Sequence, residues 1–338
     1  MASGTDKPGA ATIFEVAEAA GVSITTVSHV FSGKRPVGAR TRERVEAAAA
    51  RLAYQPRPAA RALGGGRTMT LAVQFPLQGL DVLFNQYFSE LVPAMSEAAV
   101  VRGYTFVLVP PDPSHDTYLQ PLIERRNVDG AILLDPSYGD PFPAALSEAG
   151  VPFVSLGRTP GAPDAARVDQ DFAALMRECV AHLRAAGYAR PALLSFAGEL
   201  STLVDVEAAF RAVAGEGATV IAAETEVAAW QAVAGMFEGD ERPDAFVCID
   251  ERYAAAVYRA ASDAGVRIPD EIGVAALHDG IATRMEPPLT TVALFPDRAG
   301  RALVELIDGI LDGADPEPLT LVPFELRPRE STLRGTSS

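Results

Sequence analysis

The stretch Thr12–Phe31, TIFEVAEAAGVSITTVSHVF, holds two helical patterns separated by one glycine. Thr12 and Glu15 have the Thr-x-x-Glu spacing of a capping box, which starts a first helix whose inner face is Ile13, Val16, Ala17 and Ala20. Gly21 supplies a left-handed turn residue and Ser23 the cap of a second helix. There Val27 and Val30 point inward, which turns Ile24, Thr25, Thr26, Ser28 and His29 outward. Exposed hydroxyls and an imidazole suit phosphate and base-edge contacts, so the pair reads as a helix-turn-helix whose second helix enters a DNA major groove. The plainer alternative is a helical hairpin that only packs.

Charge bears on that choice. The chain of 338 residues has a formal net charge of −15, yet residues 1–68 hold ten Lys/Arg against five Asp/Glu, a local +5, which leaves −20 on the rest. Phosphate neutralisation needs local positive charge, not a basic whole protein. A basic head on an acidic body fits a DNA reader with a second task.

Residues that are 48% hydrophobic and 22% charged describe a folded chain with one small core and one or two medium ones. Cys179 and Cys248 sit in apolar runs with no partner at ligand spacing, so both are expected to be reduced core residues, with no metal site and no cofactor. No apolar leader or span of membrane length is present, which sets the cytoplasm, at the nucleoid, as the expected compartment and excludes a membrane partner. Residues 1–10 are expected to be a disordered leader.

A third helix is expected over Ala39–Ala53, with Val45, Ala48, Ala49 and Leu52 inward. Tyr54–Gly66, YQPRPAARALGGG, then reads as a linker in which Arg57 and Arg61 reach toward phosphate. Leu63 is either a wedge inserted between base steps from the minor groove or a stray leucine on a tether. Beyond Thr70, apolar runs at 71–75, 104–109, 130–134 and 152–156 alternate with helical patterns near 86–101, 117–126 and 142–149. A second set runs at 191–196, 219–223, 245–249 and 272–277, with helices near 171–186, 204–214, 228–237 and 252–264. Two such sets mean two doubly wound α/β lobes, with a ligand cleft at the carboxyl ends of the strands. No strand is followed by a Gly-x-Gly-x-x-Gly turn, which argues against a dinucleotide.

From Ala11 to about Thr332 the chain resembles the LacI/GalR family of bacterial transcription regulators. The segments that carry the resemblance are AGVSITTVSHVFSG (20–33), TRERVEAAAARLAYQP (41–56), RPDAFVCID (242–250), PPLTTV (287–292) and RPREST (327–332), in the family order. The resemblance implies an α/β protein with a three-helix helix-turn-helix headpiece over 11–56 and a hinge over 57–68. A two-lobed, periplasmic-binding-protein-like body of doubly wound parallel sheets follows. Its first lobe takes 69–166 and 295–320, its second 167–294 and 321–332. It also implies a homodimer, or a tetramer, that grips a near-palindromic operator as a repressor, with a small effector such as a sugar in the cleft.

Residue by residue, the resemblance implies that Ser23, Thr26 and Ser28 touch phosphate or fix the second helix, that Ile24 and Thr25 choose bases and that Leu63 is a central wedge; Thr12 is a further candidate for DNA contact. His29 stands where arginine is usual, and an imidazole loses the bidentate fork that reads guanine, so it is either a base reader or a phosphate contact. Arg57 replaces a common asparagine. In the effector cleft the resemblance points to Phe84, Tyr87, Phe88, Asp171, Val206, Trp230, Ile249 and His278; the alternatives are a helix cap for Asp171, a core or lobe-surface ring for Trp230 and a buried, hydrogen-bonded histidine for His278. Several of these depart from the usual polar set: Val206 replaces an arginine, Ile249 an asparagine and His278 the first aspartate of a pair that keeps Asp279. Phe172 likewise replaces an asparagine. These changes make a pocket more apolar than a typical sugar site the expectation.

Asp169, Asp171, Asp250 and Asp279 admit an acid/base enzyme, but no nucleophile lies beside a base and no metal spacing occurs, so no catalytic residue is expected. A free solute-binding protein would need an export signal and no basic headpiece. Control by a partner protein, or by no ligand, remains the third reading.

Overall fold

A computed structural model describes residues 11–32, 35–52, 54, 67–76, 86–109, 127–215, 217–239 and 242–334. Arg57, Arg61, Leu63 and Phe84, the leader 1–10 and the helix expected near 117–126 lie outside the described residues.

Three helices form the headpiece: α1 (Ile13–Ala20), α2 (Ile24–Ser32) and α3 (Ala39–Arg51). Val16, Ala17, Ala20, Val27, Val30, Val45, Ala48 and Ala49 share one buried centre, with Ile13, Phe31 and Leu52 half-buried at its edge. Small residues at the crossing points let three short helices close on so small a core.

The body contains two six-stranded sheets. The first lobe holds β1 (Thr70–Gln74), α4 (Gln86–Val101), β2 (Thr105–Val109), β3 (Gly130–Leu134), α5 (Phe142–Glu148), β4 (Phe153–Leu156) and β5 (Arg167–Gln170). The second holds α6 (Phe172–Ala185), β6 (Pro191–Phe196), α7 (Ser201–Ala214), β7 (Val220–Ala223), α8 (Glu226–Phe237), β8 (Ala245–Cys248), α9 (Glu251–Ala264), β9 (Gly273–Leu277) and β10 (Thr290–Ala293). The chain then returns to the first lobe for α10 (Pro296–Leu311) and β11 (Leu319–Val322) and ends in the second with β12 (Glu325–Arg327). Strand order is β11-β5-β4-β3-β1-β2 in one sheet and β12-β10-β9-β8-β6-β7 in the other, parallel throughout except for β12, which runs antiparallel to β10. Central strands buried on both faces explain the apolar runs GAILL and AFVC.

The lobe boundaries differ from those drawn from sequence. Arg167–Gln170 hydrogen-bonds with β4 and β11 in the first sheet, so the first crossing follows Gln170 rather than residue 166. The whole of Leu319–Val322 also belongs to that sheet, which moves the last crossing from 320 to the stretch between Val322 and Glu325. Short strands rich in polar residues, RVDQ above all, give no apolar run by which to place them. Cys179 and Cys248 are free and fully buried in the second core, and burial pushes the Cys179 thiol up to about 12.

Candidate functional site

The headpiece builds a rigid turn between α1 and α2. Thr12 accepts a hydrogen bond from the Glu15 amide while Glu15 takes one from the Thr12 amide, closing the capping box at the start of α1. Gly21 ends α1 at φ 61°, a left-handed position that a side chain would strain. The Arg44 guanidinium of α3 donates to the carbonyls of Ala20 and Gly21, tying the turn to the third helix. Ser23 Oγ accepts from the Thr26 amide at 3.1 Å and lies 2.8 Å from Thr26 Oγ1, fixing the first turn of α2. Val27 and Val30 then face the core, and Ser23, Ile24 and Thr25 are exposed. Thr26, Ser28 and His29 are half-buried. The resulting ridge is short, hydroxyl-rich and free of carboxylates, and the exposed Arg35, Arg40, Arg42 and Arg51 follow it in the chain.

A cavity of about 750 Å³ is lined by residues of both lobes. Its walls come from the carboxyl ends of the strands, where open α/β sheets bind ligands. Asp135 follows β3, Asp169 and Gln170 end β5, Phe196 ends β6, Glu224 follows β7, Ile249 and Asp250 follow β8, His278 follows β9 and Leu294 follows β10. Tyr87 and Phe88, at the start of α4, cover one side, and Phe172, Arg252 and Tyr253 contribute from the first turns of α6 and α9.

Direct bonds join the lobes around this cavity. Asp135 Oδ1 accepts from Ser201 Oγ at 3.1 Å and from the Thr202 amide at 3.0 Å, so a carboxylate of one lobe caps α7 of the other. Arg158 and Asp205 form an ion pair across the same seam. Gln170 Nε2 donates to the Leu294 carbonyl at 2.9 Å, next to a second crossing. His278 is buried at φ 75°, with Nδ1 3.5 Å from Glu251 Oε2, Nε2 3.7 Å from Glu90 of the first lobe, and Tyr87 edge-on to its ring.

Burial governs the charges here. It lifts Asp135 to about 6, because the bonds from Thr202 and Ser201 only partly offset the loss of water and Asp169 adds like charge. Asp169 is raised by the same cause, against bonds from Gln170 and Arg167. Asp250 is raised by burial despite Arg252, which bonds it through Nε and Nη2 at 3.0 Å each.

Of the residues expected at the effector cleft, the structure brings Tyr87, Phe88, Ile249 and His278 to the cavity wall. Asp171 does not line it: this exposed side chain is the N-cap of α6, accepting from the Ala174 amide at 2.9 Å. Val206 faces inward on α7 and is wholly buried in the core of the second lobe. Trp230 lies on α8 away from the cavity, where Nε1 donates to Asp263 at 2.9 Å and Arg259 stacks on its ring at 4.2 Å. Asp279 is also taken up by structure. Burial would raise its carboxyl, but the bonds from Arg327 and Thr291 and the Arg329 charge outweigh that and hold it low. The wall mixes the carboxyls of Asp135, Asp169, Glu224 and Asp250 with the apolar side chains of Phe88, Phe172, Phe196, Ile249 and Leu294. Asp135 and Glu224 sit one residue past β3 and β7, Asp250 two past β8 and Asp169 within β5; of the four, sequence reading singles out only Asp169 and Asp250, as acid/base candidates.

Two domain families match the chain: residues 12–57 match the "Bacterial regulatory proteins, lacI family" and residues 180–332 the "Periplasmic binding protein-like domain". The transcriptional regulator CelR of Thermobifida fusca is 30% identical over 325 residues, covering 92% of this chain and 95% of that one. The chain belongs to the LacI family. It is a DNA-binding transcriptional regulator. Catabolite control protein A of Staphylococcus aureus is 26% identical over 95% of this chain and 99% of its own. Among solved structures, the Lac repressor dimer bound to operator and the anti-inducer ONPF superposes with a TM-score of 0.78 at 25% identity, covering 96% of this regulator and 99% of that chain. The CelR–cellobiose complex gives 0.71 at 27% identity, covering 95% and 99%. Among the described residues no helix of this regulator is long and apolar enough to cross a membrane.

Proposed function

We propose that this regulator is a homodimeric repressor that binds a near-palindromic operator and releases or tightens on it when a small molecule fills the interlobe cavity. The observation that carries the reading is the ridge of α2, locked by Ser23 and Arg44 and offering Ile24 and Thr25 to base edges. Thr12, Thr26 and Ser28 take phosphate or position the helix, and His29 reads a base. Arg57 and Arg61 add phosphate contacts, and Leu63 wedges the central base step. The Lac repressor superposition, a dimer on operator, supports the assembly and target.

The cellobiose complex of CelR supports a sugar or related metabolite as effector, and a cavity of about 750 Å³ favours small-molecule control over control by a partner protein. The protein works in the cytoplasm on nucleoid DNA, and it carries out no reaction. A ligand that contacts both lobes changes their relative population of arrangements and hence the spacing of the two hinges, which is how cleft occupancy reaches the DNA.

The test is a titration of the full-length protein against an operator selected from random duplexes, with cellobiose and a panel of sugars and metabolites. At least one compound is expected to shift affinity fivefold or more; an affinity blind to every compound contradicts effector control. Leu63→Ala should weaken operator binding at least tenfold while binding to random duplex at low salt changes less than twofold. Equal losses on both would remove the wedge.

A further inference from the structure

The first turn of α2 carries a side chain that the headpiece itself does not use. Among the described residues of the headpiece two large apolar side chains are exposed, Phe14 at 66% and Ile24 at 40%. The half-buried side chains packed against the headpiece core are Ile13, Val22, Phe31, Val37, Leu52 and Tyr54, and Ile24 is not among them. It stands between the exposed Ser23 and Thr25, at the end of α2 that meets base edges in a helix-turn-helix.

The rest of the helix narrows what can be read. The sequence of α2, ITTVSHVFS, holds no Arg, Lys, Asn, Gln, Asp or Glu, so it offers none of the two-bond pairs that single out guanine or adenine. Ser23 and Thr26 are spent on the turn: their hydroxyl oxygens lie 2.8 Å apart and Ser23 Oγ accepts from the Thr26 amide. The hydroxyls of Thr25 and Ser28 can bond several bases equally well, and His29 lacks the fork. Hydrogen bonding by this helix is permissive, which leaves discrimination to the apolar contact.

One apolar group distinguishes the base pairs on the major-groove edge of B-DNA, the C5-methyl of thymine; the other distinguishing groups are donors and acceptors. Ile24 set against a donor or acceptor would strip water from that group without replacing the bond. Set against the methyl, it buries apolar surface on both partners.

We infer that Ile24 is a specificity residue that selects thymine, through its C5-methyl, at one position of each operator half-site. This rests on the reading of α2 as the helix that meets the bases.

The experiment takes the duplex selected by the full-length protein and replaces its half-site thymines by deoxyuridine, one position at a time and in both half-sites together. Deoxyuridine keeps every donor and acceptor of thymine and removes only the methyl. At one position the replacement should weaken wild-type binding roughly fifteenfold, about fourfold for each methyl lost. The slope of affinity against salt should not change, because no phosphate contact is touched. Ile24→Ala, at an exposed helical position where alanine is favourable, should bind the thymine duplex more weakly and lose less than twofold on the same replacement. Phe14→Ala should keep the whole of the wild-type loss, since the first helix of the motif crosses the DNA backbone instead of entering the groove. A selected half-site without thymine, or a series in which no position costs more than twofold, overturns the inference. So does an Ile24→Ala variant as sensitive to the replacement as wild type. In each of these cases a selected motif with dyad symmetry leaves the base-reading role of α2 standing; selection of no motif removes both.

Discussion

The Asp135 carboxyl caps a helix of the opposite lobe while buried beside Asp169, and its pKa of about 6 records what that costs. The folded state binds this proton more tightly than the unfolded chain, whose carboxyl keeps the ordinary 3.8. The group's contribution to stability is therefore complete below about pH 4 and lost as pH rises through 6, a change of about 3 kcal/mol. Asp135→Asn keeps an acceptor for the Thr202 amide, tolerates the left-handed backbone at φ 50° and cannot ionise. Urea denaturation should show the variant more stable than wild type at pH 7.5 by up to about 3 kcal/mol and equal to it at pH 4. The same offset at both values would contradict the burial argument. His29 poses a different question at this scale. If it reads a base, selection of duplexes by His29→Ala should return a motif altered at one position per half-site; an unaltered motif would make it a phosphate contact.

Elements differ in how far the sequence disclosed them. The headpiece helices and the eight apolar strands were legible because caps, a turn glycine and unbroken apolar runs mark them. Strands β5 and β12, RVDQ and ELR, carry no such run, and in β10 and β11, TTVA and LTLV, threonines break it, so none was expected. Helix α10 also went unassigned despite a regular stripe of Ala299, Leu303, Val304 and Ile307, because it lies outside the strand–helix alternation that organised the rest. The effector residues misplaced from sequence fail for a related reason. Resemblance transfers positions, but the direction of a side chain is fixed by local caps and cores, as at Asp171 and Val206.

Helix α10 packs tightly against α4, since a Cβ at Gly300 would lie 2.6 Å from the Leu91 carbonyl oxygen. Gly300→Ala should destabilise by roughly 1–3 kcal/mol through forced separation of the helices. Gly309→Ala on the same helix, with nothing closer than 3.8 Å, should stabilise by up to about 1 kcal/mol. Both losing stability in denaturant would mean helix propensity, not packing, was misjudged.

For the whole molecule, charge is segregated: the basic N-terminal 68 residues carry +5 and the remainder −20. The acidic remainder discourages DNA from lying along it, which leaves the headpiece as the reader. The lobes meet through Asp135 with α7, Arg158 with Asp205 and Gln170 with Leu294. Arg158 is substantially exposed, so its pair is screened and contributes about 0.5 kcal/mol at most. Asp205→Ala should accordingly weaken a ligand that bridges the lobes by about twofold, with little change in operator affinity without ligand. A tenfold loss would mean the seam, not the cavity wall, dominates ligand binding.

The central claim is that two copies of α2 read adjacent major grooves of one duplex. Repeated selection of bound sequences from random duplex DNA by the full-length protein tests it most directly. The account predicts an enriched motif with dyad symmetry whose half-sites lie about one helical turn apart, and loss of that symmetry's enrichment when Thr25 is changed to a bulky residue. Enrichment of an asymmetric motif, or none above background, would contradict it.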